Sequence, residues 1–234
     1  MLKVSATGHV RTGVGEIFRR CTVLVELYLV LEEARPATWT AITRAYPDID
    51  AFVLPDLRVL YSIIEAQDVD FGGFYSDVLR RCVLPSLAEV HIRLEPPLGP
   101  AMGGIWGFIE ALARVAAPVR YFGVRGATYE DVERFIEAVP SLEIVIAQDS
   151  YIGSSIFRRV VQGECGSRLK TLEFAVQRSW AGDLVELLEV RWAAEAGWRA
   201  RVVEEGMGES EIPCEPLQRV VIFCEDEGGA TGED

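Results

Sequence analysis

The sequence predicts an α/β fold: a solenoid with short parallel strands on its concave face and helices on its convex face. Three observations carry that expectation. A short phrase of alternating apolar residues recurs along the chain. Amphipathic helical spacings fill the intervals between copies. Polar or charged residues such as Glu89, His91, Arg120, Glu143 and Glu173 interrupt the strand phrases, whereas a doubly wound sheet, covered on both sides, favours unbroken Val/Ile/Leu runs.

Composition sets the outer limits. The chain has 234 residues, half of them hydrophobic and a quarter charged, enough apolar content to build a buried core and to exclude general disorder. The net charge of −13 argues against a nucleic-acid partner, which calls for a basic patch. Lys occurs only at Lys3 and Lys170, and Asn does not occur, so no N-glycosylation acceptor exists. Cys21, Cys82, Cys165, Cys214 and Cys224 are odd in number and widely spaced. That pattern fits reduced thiols of a cytoplasmic or nuclear protein better than a disulfide framework or a zinc site. Met1 to Val10 lacks the apolar core of a signal peptide, and the longest uncharged run, Pro96 to Ile109, is too short to span a bilayer.

The elements follow in chain order. Residues 1–13 read as a flexible start, 14–224 as one repeat domain and 225–234 as a disordered acidic tail. The first strand phrase is Leu24-Val-Glu-Leu27-Tyr-Leu29, and Pro47 to Leu54 holds a weaker copy. Fuller copies are Pro55-Asp-Leu57-Arg-Val-Leu60-Tyr-Ser62, Pro85-Ser-Leu87-Ala-Glu-Val90-His-Ile92 and Pro140-Ser-Leu142-Glu-Ile-Val145-Ile-Ala147. Shorter ones begin at Pro118, Leu169 and Pro216. Between them, Ile105, Phe108, Ile109, Leu112 and Val115 mark one helix face, as do Val132, Phe135, Ile136 and Val139 after a Thr128–Asp131 capping box. Ile156, Val160 and Val161 suggest another helix. Phe74, Val78, Leu79 and Cys82 suggest one more, and Asp183 reads as the cap of a helix carrying Leu184, Leu187, Leu188 and Arg191. The prolines are expected to end these helices.

Leu57, Leu87, Val119, Leu142, Leu169 and Leu217 are separated by 30, 32, 23, 27 and 48 residues. Leucine-rich repeats run about 20–29 residues, so the array is read as an irregular leucine-rich-repeat solenoid. The run Leu84-Pro-Ser-Leu87, its echo Val139-Pro-Ser-Leu142, and Leu184-Val-Glu-Leu-Leu-Glu-Val-Arg-Trp192 followed by Pro216-Leu217-Gln-Arg-Val220 resemble the C-terminal leucine-rich region of F-box proteins of mushroom-forming fungi. Ile17-Phe-Arg-Arg-Cys21 leading into Leu24-Val-Glu-Leu27 is similar to a repeat of the same family, and the likeness covers roughly residues 14–224. The resemblance implies a repeat surface that holds the substrate of a ubiquitin ligase. Residues 1–30 carry no L-P-x-E-[LI] opening, so a ligase-adaptor role is implied only if an F-box is supplied upstream.

Motifs for chemistry are incomplete. Ser167-Arg-Leu-Lys170 fits S-x-x-K but lacks the companion motifs of penicillin-binding enzymes. Gly8 to Gly13 has phosphate-loop spacing, with Val14 and Gly15 where Lys and Ser/Thr are required. With only His9 and His91 available, neither a His-pair metal site nor a ready triad is expected, so no catalytic residue, metal or cofactor is assigned. A small α/β hydrolase or transferase and a paralogue without a ligase role are the alternatives. The favoured reading is a non-enzymatic interaction domain for an unknown protein partner, with no nucleic acid and no membrane involved. Its contacts are expected at the variable strand positions Tyr28, Tyr61, Glu89, His91, Arg93, Tyr121, Arg125 and Glu173, since Tyr and Arg are enriched at interface hot spots.

Overall fold

Alternation along the strand phrases sends one set of side chains inward and the other outward. The computed structural model describes residues 2–6, 23–32, 52–65, 82–95, 105–114, 118–177, 180–189, 192–193 and 217–225. Its strands are β1 (Leu2–Ala6), β2 (Glu26–Glu32), β3 (Phe52–Val53), β4 (Val59–Glu65), β5 (Cys82–Val83), β6 (Glu89–Leu94), β7 (Tyr121–Arg125), β8 (Ile144–Tyr151), β9 (Thr171–Gln177) and β10 (Arg219–Glu225). Its helices are α1 (Trp106–Arg114), α2 (Tyr129–Ala138), α3 (Ser154–Val161) and α4 (residues 180–189).

The fold is α/β around a parallel sheet. Eight strands pair in the order β1-β2-β4-β6-β7-β8-β9-β10, each parallel to its neighbour. Sheet order therefore follows chain order and never reverses. A doubly wound sheet places its ligand at such a reversal, and the described strands contain none. β3 and β5 form a separate parallel pair.

Register aligns the apolar positions into continuous rows. Leu27, Leu60, Val90, Phe122, Val145, Leu172 and Val220 lie side by side, and the first six are at most 3% exposed. The next inward row holds Leu29, Ser62, Ile92, Val124, Ala147 and Phe174, all buried. Helix faces close over these rows: Phe108, Ile109 and Leu112 from α1, Val132, Phe135 and Ile136 from α2, Ile156, Phe157 and Val160 from α3, and Leu184 and Leu188 from α4 join the same core. The Phe122 ring of β7 stacks on Phe135 of α2 at 3.7 Å.

The six strands from β4 to β10 in the main sheet begin with the same backbone device. The carbonyl of Val25 accepts from the N–H groups of both Arg58 and Val59, and that of Arg58 from both Ala88 and Glu89. Ala88, Arg120, Glu143 and Lys170 repeat the double acceptance from the next strand in turn. Just upstream, a turn is closed by Leu57 N–H to Leu54 C=O, and again by Leu87 to Leu84, Leu142 to Val139 and Leu169 to Gly166. Both ends of these turns are buried in the core, which explains why Leu-Pro-x-Leu recurs.

The proline role differs from expectation. Pro55, Pro85 and Pro140 stand second in these four-residue turns, where a fixed φ near −65° is already required. They shape the turn more than they stop a helix, although Pro140 also lies just beyond α2. In the fourth turn Gly166 takes φ +57°, and a Cβ there would meet Leu169 at 2.4 Å.

Helix expectations fare unevenly. α1 and α2 form where the spacing predicts, and the Thr128 Oγ1 accepts from the Asp131 N–H at 3.3 Å as the capping box requires. α3 covers Ile156, Val160 and Val161. Asp183 is not a cap, because residues 180–182 before it are already helical. Cys82, expected on a helix, lies in β5, while Phe74, Val78 and Leu79 fall outside the described residues. The weak copy from Pro47 contributes only Phe52–Val53, and these pair outside the main sheet. The start of the chain, expected to be flexible, contains β1, so the sheet begins at Leu2 rather than after residue 13. Glu225, placed in the tail, ends β10, and residues 226–234 lie outside the described set.

Candidate functional site

The outward face of β2, β4, β6 and β7 brings the variable positions together. Tyr28, Tyr61, His91 and Gly123 are register partners on four successive strands. Because adjacent strands lie about 4.8 Å apart, flat side chains in one row meet face to face. The Tyr28 and Tyr61 rings stack at 4.2 Å with planes 8° apart, and Tyr61 and His91 at 4.4 Å and 16°.

The fourth ring comes from a different position. Tyr121 is the register partner of Glu89, yet its ring packs on His91 at 4.7 Å, tilted by 34°. Gly123 makes this possible. A Cβ on Gly123 would lie 3.0 Å from Tyr121 Cε1 and 3.2 Å from His91 Nδ1. The missing side chain thus leaves a gap in the row, and the tyrosine two residues earlier leans across it.

Beside the rings runs a groove of about 350 Å³. The stacked row forms one wall. Arg93, Arg125 and Gln148, partners in the next outward row, form the other, and Ile63 and Ile146 are among the residues that also line it. Arg93 pairs with Glu95, and Arg125 Nε donates to Asp149 Oδ2 at 2.7 Å. Asp149 reaches back from an irregularity in β8, where pairing with β9 jumps from Ala147 to Tyr151 and Asp149 adopts φ +53°.

Burial dominates the electrostatics of the rings. It lowers the pKa of His91 below the ordinary imidazole value, opposed by Glu89, whose Oε2 is 3.6 Å from His91 Nε2. That distance is too long for a hydrogen bond, and among the described residues Nε2 has no other hydrogen-bond partner. Burial likewise pushes the Tyr61 hydroxyl up, helped by its hydrogen bond with Tyr28 and by the charges of Glu89 and Glu26. Tyr121 is raised by burial and then by Glu89 and Glu173. All three effects favour neutral rings at neutral pH.

Of the eight positions expected to bind, Tyr28, Tyr61, His91, Arg93, Tyr121 and Arg125 line the groove. Glu89 flanks it beside His91. Glu173 sits on β9, in register with Ile146, and acts on the site only through its charge on Tyr121. Sequence reasoning missed Gly123, Ile63, Ile146, Gln148 and Asp149. Gly123 was legible as the one glycine at a position where neighbouring copies carry Tyr or His. Asp149 was not, since it reaches Arg125 through a β8 irregularity that the repeat phrase does not encode.

Among the described residues no group of three or more His, Cys, Asp or Glu side chains could hold a metal ion. Among the same residues no helix is long and apolar enough to cross a membrane. No protein-family model matches the chain, and neither a curated protein nor a solved structure is found to be similar to it.

Proposed function

We propose that this chain is a non-enzymatic protein–protein interaction domain. It is an irregular leucine-rich-repeat solenoid whose strand face is concave and whose helices cover the convex side. The double acceptance repeated at six successive strands and the chain-ordered sheet support the repeat reading. In this reading it works in the cytosol or nucleus like the substrate-recognition repeats of an F-box ubiquitin-ligase receptor, with a ligase-adaptor role only if an F-box is supplied upstream.

The carrying observation is the four-ring stack beside the groove. Rings held by their neighbours lose little freedom on binding, and rigid aromatic anchors are what interface hot spots are made of. Among the described residues the Glu89–His91 pair is flanked by the Tyr61 and Tyr121 rings, which favours recognition over acyl or glycosyl transfer.

The test replaces Tyr28, Tyr61 and Tyr121 together with Ala. The variant is expected to keep its circular dichroism spectrum and to lose the proteins that the wild type retains in quantitative affinity capture. An unchanged retained set would overturn the reading.

A further inference from the structure

We infer that the groove takes an extended peptide segment bearing a carboxylate side chain, seated between the ring row and the Arg93–Arg125 pair. The inference rests on the interaction reading above and names the chemistry of the partner.

Charge is the first argument. The chain as a whole carries −13, yet the groove is lined by two arginines and no Asp or Glu. The groove lining itself thus carries two cationic forks, while the acids that pair with them, Glu95 and Asp149, and the flanking Glu89 stand outside it. A basic segment would find only N–H donors on the two arginines of the lining, and an acidic one would find donors it can accept from.

Geometry is the second. Arg93 and Arg125 are direct register partners on adjacent parallel strands, with backbones about 4.8 Å apart. Glu95 and Asp149, which pair with them, are outside the lining. A guanidinium has five N–H donors. Asp149 engages Nε of Arg125 and Glu95 engages one Nη of Arg93. Both therefore have donors beyond those their own acids use, and both side chains are about half exposed. The internal acids orient the two forks, and a carboxylate bridging them gains charge-assisted bonds from each.

Length is the third. The lining reaches from Tyr28 on β2 to Ile146 and Gln148 on β8, four strand steps or about 19 Å. An extended chain of roughly five to six residues covers that distance. The facing sides of the rings are occupied by one another, so ring edges and hydroxyls meet the peptide. Ile63 and Ile146 offer apolar contact on either side of the arginines.

The test pans a displayed library of random heptapeptides on the full chain. Asp and Glu are expected several-fold above their frequency in the starting library. The best recovered peptide, made synthetically, should bind the Arg93→Gln/Arg125→Gln variant at least about tenfold more weakly. Arg158→Gln, on α3 and away from this face, should bind it as the wild type does. Recovery of Lys/Arg-rich or purely apolar peptides that need Tyr61 but neither arginine overturns this inference and leaves the interaction reading standing. An unenriched library, or peptides indifferent to both arginines and to Tyr61→Ala, overturns both.

Discussion

The outward face of β2, β4, β6 and β7 and that of β8, β9 and β10 rest on one continuous ladder but carry different surfaces. The first presents stacked rings and two arginines. The second, in the same registers, presents Ile144, Thr171 and Arg219, then Ile146, Glu173 and Val221. The inward rows do not change character between the halves, since Leu60, Val90 and Phe122 are as buried as Val145 and Leu172. Folding is therefore carried by residues common to both halves, and the row proposed for recognition is one that only the first half fills with rings.

The largest effect tests the common core. Leu60→Ala in the first half and Leu172→Ala in the second should each cost about 2–5 kcal/mol in urea denaturation, because both side chains are fully enclosed. A cost below about 1 kcal/mol for either would mean that the halves do not share one core.

Next comes a pair of identical substitutions with opposite signs. Gly123→Ala pushes a methyl group against Tyr121 and His91. It should weaken the near-ultraviolet tyrosine signal and destabilise by about 1 kcal/mol. Gly182→Ala, on α4 with nothing within 4 Å of the added carbon, should stabilise by about 0.5 kcal/mol and leave that signal unchanged. Equal effects at the two sites would remove the special role given to Gly123.

The smallest effect is pH-dependent. The His91 pKa is held below its ordinary value of 6.5, so unfolding takes up a proton as pH drops through the histidine range. Stability carried by the neutral ring is complete above about pH 6.5 and is lost as pH falls toward the folded value. Glu89 opposes the shift, while Tyr61 and Tyr121 stay neutral throughout. The stability difference between wild type and His91→Gln should thus be largest at pH 7 and shrink toward pH 5. A difference that grows on acidification would contradict a desolvated imidazole.

Much of the core was legible because it is periodic. Leu57, Leu60, Leu87, Val90, Leu142, Val145, Leu169 and Leu172 all belong to the recurring phrase and all are buried. The six groove residues were legible because a strand alternates, so positions beside buried ones must face outward. What was not legible depends on contacts between strands. The lean of Tyr121 over Gly123, the β8 irregularity that delivers Asp149 and the separate β3–β5 pair are properties of neighbours, not of local spacing. The β1 strand was hidden for a related reason: Leu2–Ala6 lacks the repeat phrase and joins the sheet through backbone pairing with β2.

That backbone device at the strand starts also bears on how such a chain can change. The six accepting carbonyls belong to Val25, Arg58, Ala88, Arg120, Glu143 and Lys170, a set with no side-chain chemistry in common. Alignment of successive strands is therefore indifferent to which amino acid stands there. It also tolerates connecting segments as different as those behind the 23- and 48-residue intervals. Mutation is free to rewrite the outward row, or to lengthen a connection, without disturbing the frame that aims it.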